Sequence, residues 1–323
     1  METAQRAVGR AHFLCGPWKS ADNNFKMQTS AEKDNLPDRR AASSLEGLSV
    51  GDAFGEAMYA EDTSLRSLPA GEWSYTDDTV MASSIVWCLR KFGRINQDKL
   101  AQSFAEQYSP GRGYGNAMHD LLLSIRSGSS WTAASKMLYG GAGSMGNGAA
   151  MRVAPLGAYY ADQINSIPEQ AMLSAMVTHA HVDGIAGAIA VALAAAYAWR
   201  NEADQRTLDV ARRIAEPLPE SRVRQQVLMI CNVPDNASAT LAASILGRGE
   251  RSLASDTVPF CVWAAFTFID DYEEALWSTV SVGGDVDTNC AIVGGILGAK
   301  CERTHIPSLW KNRREPLPNW IWY

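Results

Sequence analysis

From Ala42 onward the apolar residues recur at three- and four-residue spacing, the period of one helix face, and this restricts the fold more than any other feature. Segments 79–92, 97–108, 114–126, 168–180, 183–200, 205–215, 237–247, 260–269 and 271–281 carry the pattern, with Gly, Pro or Asn between them. No stretch alternates apolar and polar residues as a half-buried strand does, and no Asn-Gly pair joins two β-branched runs. The spacing predicts one all-α domain over 42–323, an orthogonal multi-helix body without a repeat of 20–50 residues. Residues 1–41 differ in texture, with Gly16-Pro17, Asn23-Asn24 and Asn35-Leu36-Pro37-Asp38 and little periodicity. They are expected to form an extension, disordered or partner-binding.

A net charge of -6 with no Lys/Arg tract offers no basic stripe for nucleic acid, so none is expected as a partner. The longest apolar stretch, Ile185 to Trp199, is shorter than the roughly 20 residues that span a bilayer and reads as a buried helix. The first residues lack the continuous apolar core of a secretory signal, which predicts a cytoplasmic protein. Six scattered cysteines without a Cys-x-x-Cys pair are then expected to be free thiols, mostly buried.

Two acidic clusters stand out. Thr76-Asp77-Asp78-Thr79 precedes an amphipathic helix, and Gly284-Asp285-Val286-Asp287-Thr288 opens an apolar, glycine-rich one. Taken singly, each is explained by helix capping, since Asp binds free N–H groups and favours the positive end of the helix dipole. Taken together they place hard oxygen donors, carboxylate and hydroxyl, at two helix entrances. Converged acids repel by roughly 4 kcal/mol per pair at about 4 Å, so a meeting of the clusters calls for a proton or a cation. Such ligands select Mg²⁺, Mn²⁺ or Ca²⁺ over zinc, and four carboxylates with two threonines suffice for two magnesium-like ions.

Between the clusters, Gly140-Gly141-Ala142-Gly143-Ser144-Met145-Gly146-Asn147-Gly148 contains a literal G-x-G-x-x-G. The dinucleotide fingerprint needs a preceding strand, whereas Trp131 to Leu138 reads as helical. The glycines permit close backbone approach to a ligand, and N–H groups ahead of a helical Ala149-Ala150-Met151-Arg152 suit a phosphate; a purely structural turn is the other reading. His179 in Thr178-His179-Ala180-His181 is a candidate donor to a phosphate, while the His-x-His spacing by itself is weak evidence of metal. No Gly-x-Ser-x-Gly elbow and no Walker lysine is present.

These stretches, together with Gly47-Leu48-Ser49-Val50-Gly51-Asp52-Ala53-Phe54-Gly55-Glu56 and Gly143-Ser144-Met145-Gly146-Asn147-Gly148-Ala149-Ala150-Met151-Arg152, resemble in order and content the ADP-ribosylglycohydrolase family, over about residues 45–300. The resemblance implies an all-α domain with a dinuclear Mg²⁺ (or Mn²⁺) centre at helix N-termini, removing mono-ADP-ribose from modified protein side chains. It makes Thr76, Asp77, Asp78, Asp285, Asp287 and Thr288 the metal ligands. It puts Ser144, Met145, Gly146, Asn147, Gly148 and His179 against the diphosphate and distal ribose, with Asp52 in support. Asp77 or Asp285 is the expected base. Some members carry a water-orienting glutamate seven residues beyond the Gly-Asp aspartate. Here that position is Tyr59, and Glu56, as in a bacterial Gly-Asp-Ala-x-Gly-Glu branch, is the candidate instead. Arginine is the expected linkage, with O-linked serine or threonine as the alternative. Some bacterial relatives are immunity proteins, so residues 1–41 are a candidate arm for an ADP-ribosyltransferase toxin.

Overall fold

Helix α1 (Leu36–Met58) carries Gly47, Gly51 and Gly55 at four-residue spacing, which stacks them on one face. That face lies directly on α14 (Val286–Gly298), backbone against backbone. A Cβ at Gly47 would sit 2.3 Å from the Gly294 carbonyl oxygen, and one at Gly51 would sit 2.2 Å from that of Cys290. One at Gly55 would meet the Asp287 Cα at 2.7 Å. Only the missing side chains let the two helices come this close, and the contact sets both acidic helix entrances relative to α1. The Ser44 hydroxyl reaches the Gly295 carbonyl at 2.7 Å, and Tyr272 Oη donates to the Gly47 carbonyl at 2.6 Å, which binds the pair further.

The computed structural model describes residues 36–59, 61–200, 207–301 and 304–323, in which fifteen α-helices carry the fold. Between the two just named run α2 (Asp77–Phe92), α3 (Gln97–Gln107), α4 (Asn116–Arg126), α5 (Trp131–Met137), α6 (Ala154–Tyr159), α7 (Ile167–Met176), α8 (Val182–Arg200), α9 (Thr207–Ala215), α10 (Arg222–Leu228), α11 (Ala239–Leu246), α12 (Ala254–Thr267) and α13 (Tyr272–Val280), with α15 (Ser308–Arg313) last. Local chemistry sets several ends. Asn96 accepts from the Lys99 amide at 3.2 Å, Asp271 from the Glu274 amide at 2.9 Å, and Gly93 closes α2 in the left-handed conformation at φ 67°. The only β pairing among the described residues is two isolated bridges, so the all-α expectation holds.

Helix α8 is long and apolar enough to cross a membrane by length and composition, yet it is mostly buried, packed by α6, α7, α12 and α14. Its alanines let these neighbours close in, and it is the buried helix expected for Ile185 to Trp199. Cys88, Cys261 and Cys290 are free and buried. The C-terminal segment returns to the entrance of α2. Phe54 of α1 stacks on Trp310 with ring centroids 4.4 Å apart, the Trp73 amide donates to the Arg313 carbonyl at 2.6 Å, and Glu315 accepts from the Tyr75 amide at 2.9 Å and pairs with Arg112. This closure holds the stretch leading into Thr76.

Two boundaries differ from the sequence pattern. The first helix begins at Leu36, so residues 36–41 belong to the domain and not to the extension. Pro37 in its first turn needs no N–H partner there, and Asp38 favours the dipole. The expectation for residues 1–35 lies outside the described residues. Helix α12 starts at Ala254 and runs through Pro259, where the pattern had placed its start at 260. Gly51→Ala tests the α1–α14 contact. Forcing a methyl into backbone should lower stability by about 3 kcal/mol or more, read as a fall in the denaturant midpoint, whereas Gly71→Ala, whose Cβ meets nothing within 4 Å, should cost far less despite its positive φ.

Candidate active site and metal centre

The two acidic clusters meet, and Asp52 of α1 joins them. One oxygen from each of Asp52, Asp78 and Asp287 lies within 4.8 Å of the others. Asp52 is fully buried at the N-terminus of α2. It accepts from the Thr76 amide at 3.0 Å, the Thr76 hydroxyl at 2.9 Å, the Thr79 amide at 3.0 Å and the Thr79 hydroxyl at 2.5 Å. It therefore caps the helix from outside, through the Thr79 amide, alongside the N-cap Thr76, whose hydroxyl accepts from the Asp78 amide at 3.3 Å. The Thr76 hydroxyl has one proton and two carboxylates in reach of it, Asp52 Oδ1 at 2.9 Å and Asp78 Oδ2 at 3.0 Å, so it ties the two acids together.

At these separations each carboxylate pair repels by roughly 3 kcal/mol, so the acids resist ionising together. Burial, with the charge of Asp287, pushes Asp52 up to about 7, held back by the threonine hydrogen bonds. Burial and the same neighbours hold Asp77 and Asp78 well above the usual carboxylate range. Asp285 rises to about 6, from burial and then Asp287, tempered by a hydrogen bond from Asn147. Asp78 Oδ1 is buried without a hydrogen-bond partner. An acceptor-only oxygen in that condition, among hard oxygen donors, fits a divalent cation, and Thr76, Asp77, Asp78, Asp285, Asp287 and Thr288 are the residues that would hold it.

The cluster forms one wall of a cavity of about 340 Å³. Asp77, Asp78, Asp285, Asp287 and Thr288 line it, and so do Ser144, Gly146, Asn147, Gly148 and His179. The link between the two groups is direct, because Asn147 Nδ2 donates to Asp285 Oδ2 at 2.7 Å and to Thr257 Oγ1 at 3.0 Å. The Ser144 hydroxyl accepts from the Gly146 amide at 3.2 Å, which rounds the loop. Past it comes a single 3-10 turn over Asn147–Ala149, and the next α-helix starts only at Ala154, so the helix expected over 149–152 is absent. Its place is taken by loop pairing: the Asn147 amide donates to the Ser252 carbonyl and the Ala254 amide to that of Met145.

The structure brings in residues that motif reading missed. The segment Arg248–Leu253 cradles Asp285, whose amide donates to the Arg248 carbonyl at 3.2 Å. Gly249, at φ 83°, packs where a Cβ would come 2.7 Å from that of Asp285. Ser252 lines the cavity with φ 50°, an uncommon conformation for a non-glycine residue, and its side chain also reaches Asp285. Arg152 lies fully buried at the cavity, its guanidinium 4.5 Å from the Phe104 ring. Tyr139, 66% exposed and at φ 53°, lines the same cavity. Asn-free and glycine-free positive φ values leave no sequence signature, which is why Ser252 and Tyr139 passed unnoticed.

Not every candidate takes the expected place. Met145 alone of the loop residues does not line the cavity; its contribution is the backbone bond to Ala254. Glu56 is exposed and also outside the lining, although burial and then the charge of Asp287 raise its carboxyl. Tyr59 instead reaches the cluster, its phenol donating to Asp287 Oδ1 at 2.8 Å and accepting from the Val286 amide at 3.1 Å. His181 turns from the cavity, its Nδ1 accepting from the Asp183 amide at 3.0 Å.

A sequence profile of the ADP-ribosylglycohydrolase family matches residues 33–322. An uncharacterised protein of Archaeoglobus fulgidus is 32% identical over 284 residues, 82% of this chain and 88% of that protein. The ADP-ribosylhydrolase ARH3 of Xenopus tropicalis is 31% identical, covering 84% of this chain and 90% of that one, and the human ARH3 is 28% identical over 84% and 88%. Among solved structures, an ADP-ribosylglycohydrolase-related protein complex shares the fold with a TM-score of 0.61 at 24% identity, over 85% of this chain and 92% of that chain. With fold, motif order and a profile spanning nearly the whole described body in agreement, the chain belongs to the ADP-ribosylglycohydrolase family of hydrolases.

Proposed function

We propose that this protein hydrolyses the glycosidic bond joining mono-ADP-ribose to a modified protein side chain, arginine being the first choice, and that its cofactors are two Mg²⁺ or Mn²⁺ ions. The observation that carries the reading is that one cavity is lined both by the acidic cluster, which holds an unpartnered buried carboxylate oxygen, and by Ser144, Gly146, Asn147, Gly148 and His179. When bound, the ions orient vicinal ribose hydroxyls and lower the pKa of water. The rest of the chemistry falls to the chain. Tyr139 offers a flat ring to the base, and the loop with His179 supplies donors to the diphosphate and distal ribose. Asn147 fixes the rotamer of Asp285, so that this carboxylate faces the anomeric carbon and takes the proton of the attacking water. Asp77 is the second candidate for that proton. The departing side-chain group takes up a proton as it leaves.

An O-linked substrate is the competing linkage. It is favoured by the position of Glu56: every carboxylate lining the cavity belongs to the metal cluster, so none is left to face a departing guanidinium. Parallel assays on peptides modified at Arg, Ser or Thr separate the two readings. Release from the arginine peptide alone supports the first, and release from serine or threonine alone replaces it. Asp285→Ala should abolish turnover and weaken Mg²⁺ binding, and retained activity in that variant would sink the two-cluster site.

Protons and cations compete for the same oxygens, which fixes the sign of a pH effect. Asp52 and Asp285 carry raised pKa values in the metal-free protein, so the stability they contribute is present at low pH and is lost as pH rises through about 6 to 7. Bound Mg²⁺ replaces those protons. The rise in melting temperature on adding Mg²⁺ should therefore be larger at pH 8 than at pH 5.5; an increment that shrinks toward pH 8 contradicts cation binding by these acids.

A further inference from the structure

Two buried groups that the reading above does not use, Arg152 and Thr178, are linked to one that it does, His179. The Arg152 guanidinium donates to the Thr178 hydroxyl oxygen at 2.9 Å and to the Ser174 carbonyl at 3.2 Å. The Thr178 hydroxyl lies 2.7 Å from Nδ1 of His179. Arg152 and Thr178 are fully buried, so water does not complete the hydrogen bonding of the threonine hydroxyl.

The donor and acceptor inventory then decides the direction of each bond. An arginine has no acceptor, so Thr178 Oγ1 accepts from it. The threonine carries one proton, and among the described residues the acceptor within its reach is His179 Nδ1. In the reverse arrangement, Nδ1–H would donate to an oxygen already accepting from Arg152, and the threonine proton would be buried with no acceptor. Leaving a buried donor unmet costs about 1–3 kcal/mol. Nδ1 is thus the acceptor, and the one proton of the neutral ring sits on Nε2. Burial, and then the positive charge of Arg152, pull the imidazole down to about 3, in keeping with a neutral ring.

Nε2 faces the ligand side. A Cβ on Gly148 would lie 3.0 Å from it and one on Gly146 3.4 Å, and both glycines line the cavity. We propose that Arg152 and Thr178 are positioning residues that lock His179 as the neutral Nε2–H tautomer, giving the cavity a hydrogen-bond donor that carries no charge. Such a donor serves an oxygen of the ADP-ribose diphosphate or ribose, and it adds no positive charge beside a cation site. The role of the donor rests on the proposed function; the tautomer does not.

The test is nitrogen-15 spectroscopy of the histidine side chains in the full protein, with His179→Gln to identify the resonances, alongside calorimetric titration with ADP-ribose in Mg²⁺. In the wild type, Nε2 should be protonated and Nδ1 bare, unchanged between pH 5 and 9. Thr178→Val should release the ring into mixed tautomers and weaken ADP-ribose about tenfold, the size of one lost hydrogen bond, with Mn²⁺ affinity unchanged. Thr178→Ser, which restores the hydroxyl, should recover both tautomer and affinity and guards against a folding defect in the valine variant. A wild-type ring protonated on Nδ1, or an imidazolium at pH 7, overturns the proposal, as does a valine variant with the wild-type tautomer. The expected tautomer changes combined with unaltered ADP-ribose affinity would keep the relay and remove the ligand role of His179.

Discussion

The site depends on the direct backbone contact between α1 and α14. Three glycines on one face of α1 leave room for the α14 backbone, and the same turn of α1 that carries Gly51 and Gly55 carries Asp52 between them. Because the helices touch without intervening side chains, Asp52 reaches α2 through Thr76 and Thr79 while lying within 4.8 Å of Asp287 on α14. Even a methyl group in this seam would push apart groups whose use depends on their convergence. The packing of small residues and the gathering of like charges are thus one constraint seen from two sides.

Gathering those charges works against folding, since burial and mutual repulsion both disfavour the ionised acids. The fold meets this with neutral donors before any cation is considered. Asp52 takes four threonine donors, Asp285 takes Asn147, and Asp287 takes Tyr59. Each donor comes from a different part of the chain, so the charge cluster also ties together α1, α2, the loop after α5 and the entrance of α14. Arg152 adds a buried positive charge that interacts with Asp77 and Asp78.

Much of this was legible in the sequence because it is periodic or local. Helical spacing located α2, α3, α4, α8 and α13, and the pairing of two Asp-rich helix starts with a glycine loop pointed to a shared site before any geometry. The failures have physical causes. Helix α12 crosses Pro259, which a spacing argument takes as a boundary, and α1 starts six residues early because Pro37 reads as a breaker although it is tolerated in a first turn. Glu56 is the water-positioning candidate only through the resemblance of Gly51-Asp52-Ala53-Phe54-Gly55-Glu56 to a bacterial branch of the family. Helix geometry instead leaves it exposed, while Tyr59, seven residues from Asp52 and so on nearly the same face, reaches Asp287. Ser252 and Gly249 act through tertiary contacts with no local pattern to announce them.

Tyr59 changes the electrostatics of the cluster from what a carboxylate at this position would give. A carboxylate at this position would bring one more like charge within hydrogen-bond distance of Asp287, adding roughly 5 kcal/mol of repulsion at about 3 Å. The phenol, raised above its ordinary pKa by burial and by Asp287, stays protonated and donates instead. It also takes the Val286 amide, one of the free N–H groups at the start of α14, and so joins the end of α1 to the entrance of α14. With three carboxylates supplied by the protein's own donors, Asp78 Oδ1 is left as the one buried carboxylate oxygen without a partner among the described residues. The unmet demand of the cluster is thereby focused on the cavity, where a cation and a ribose would be received.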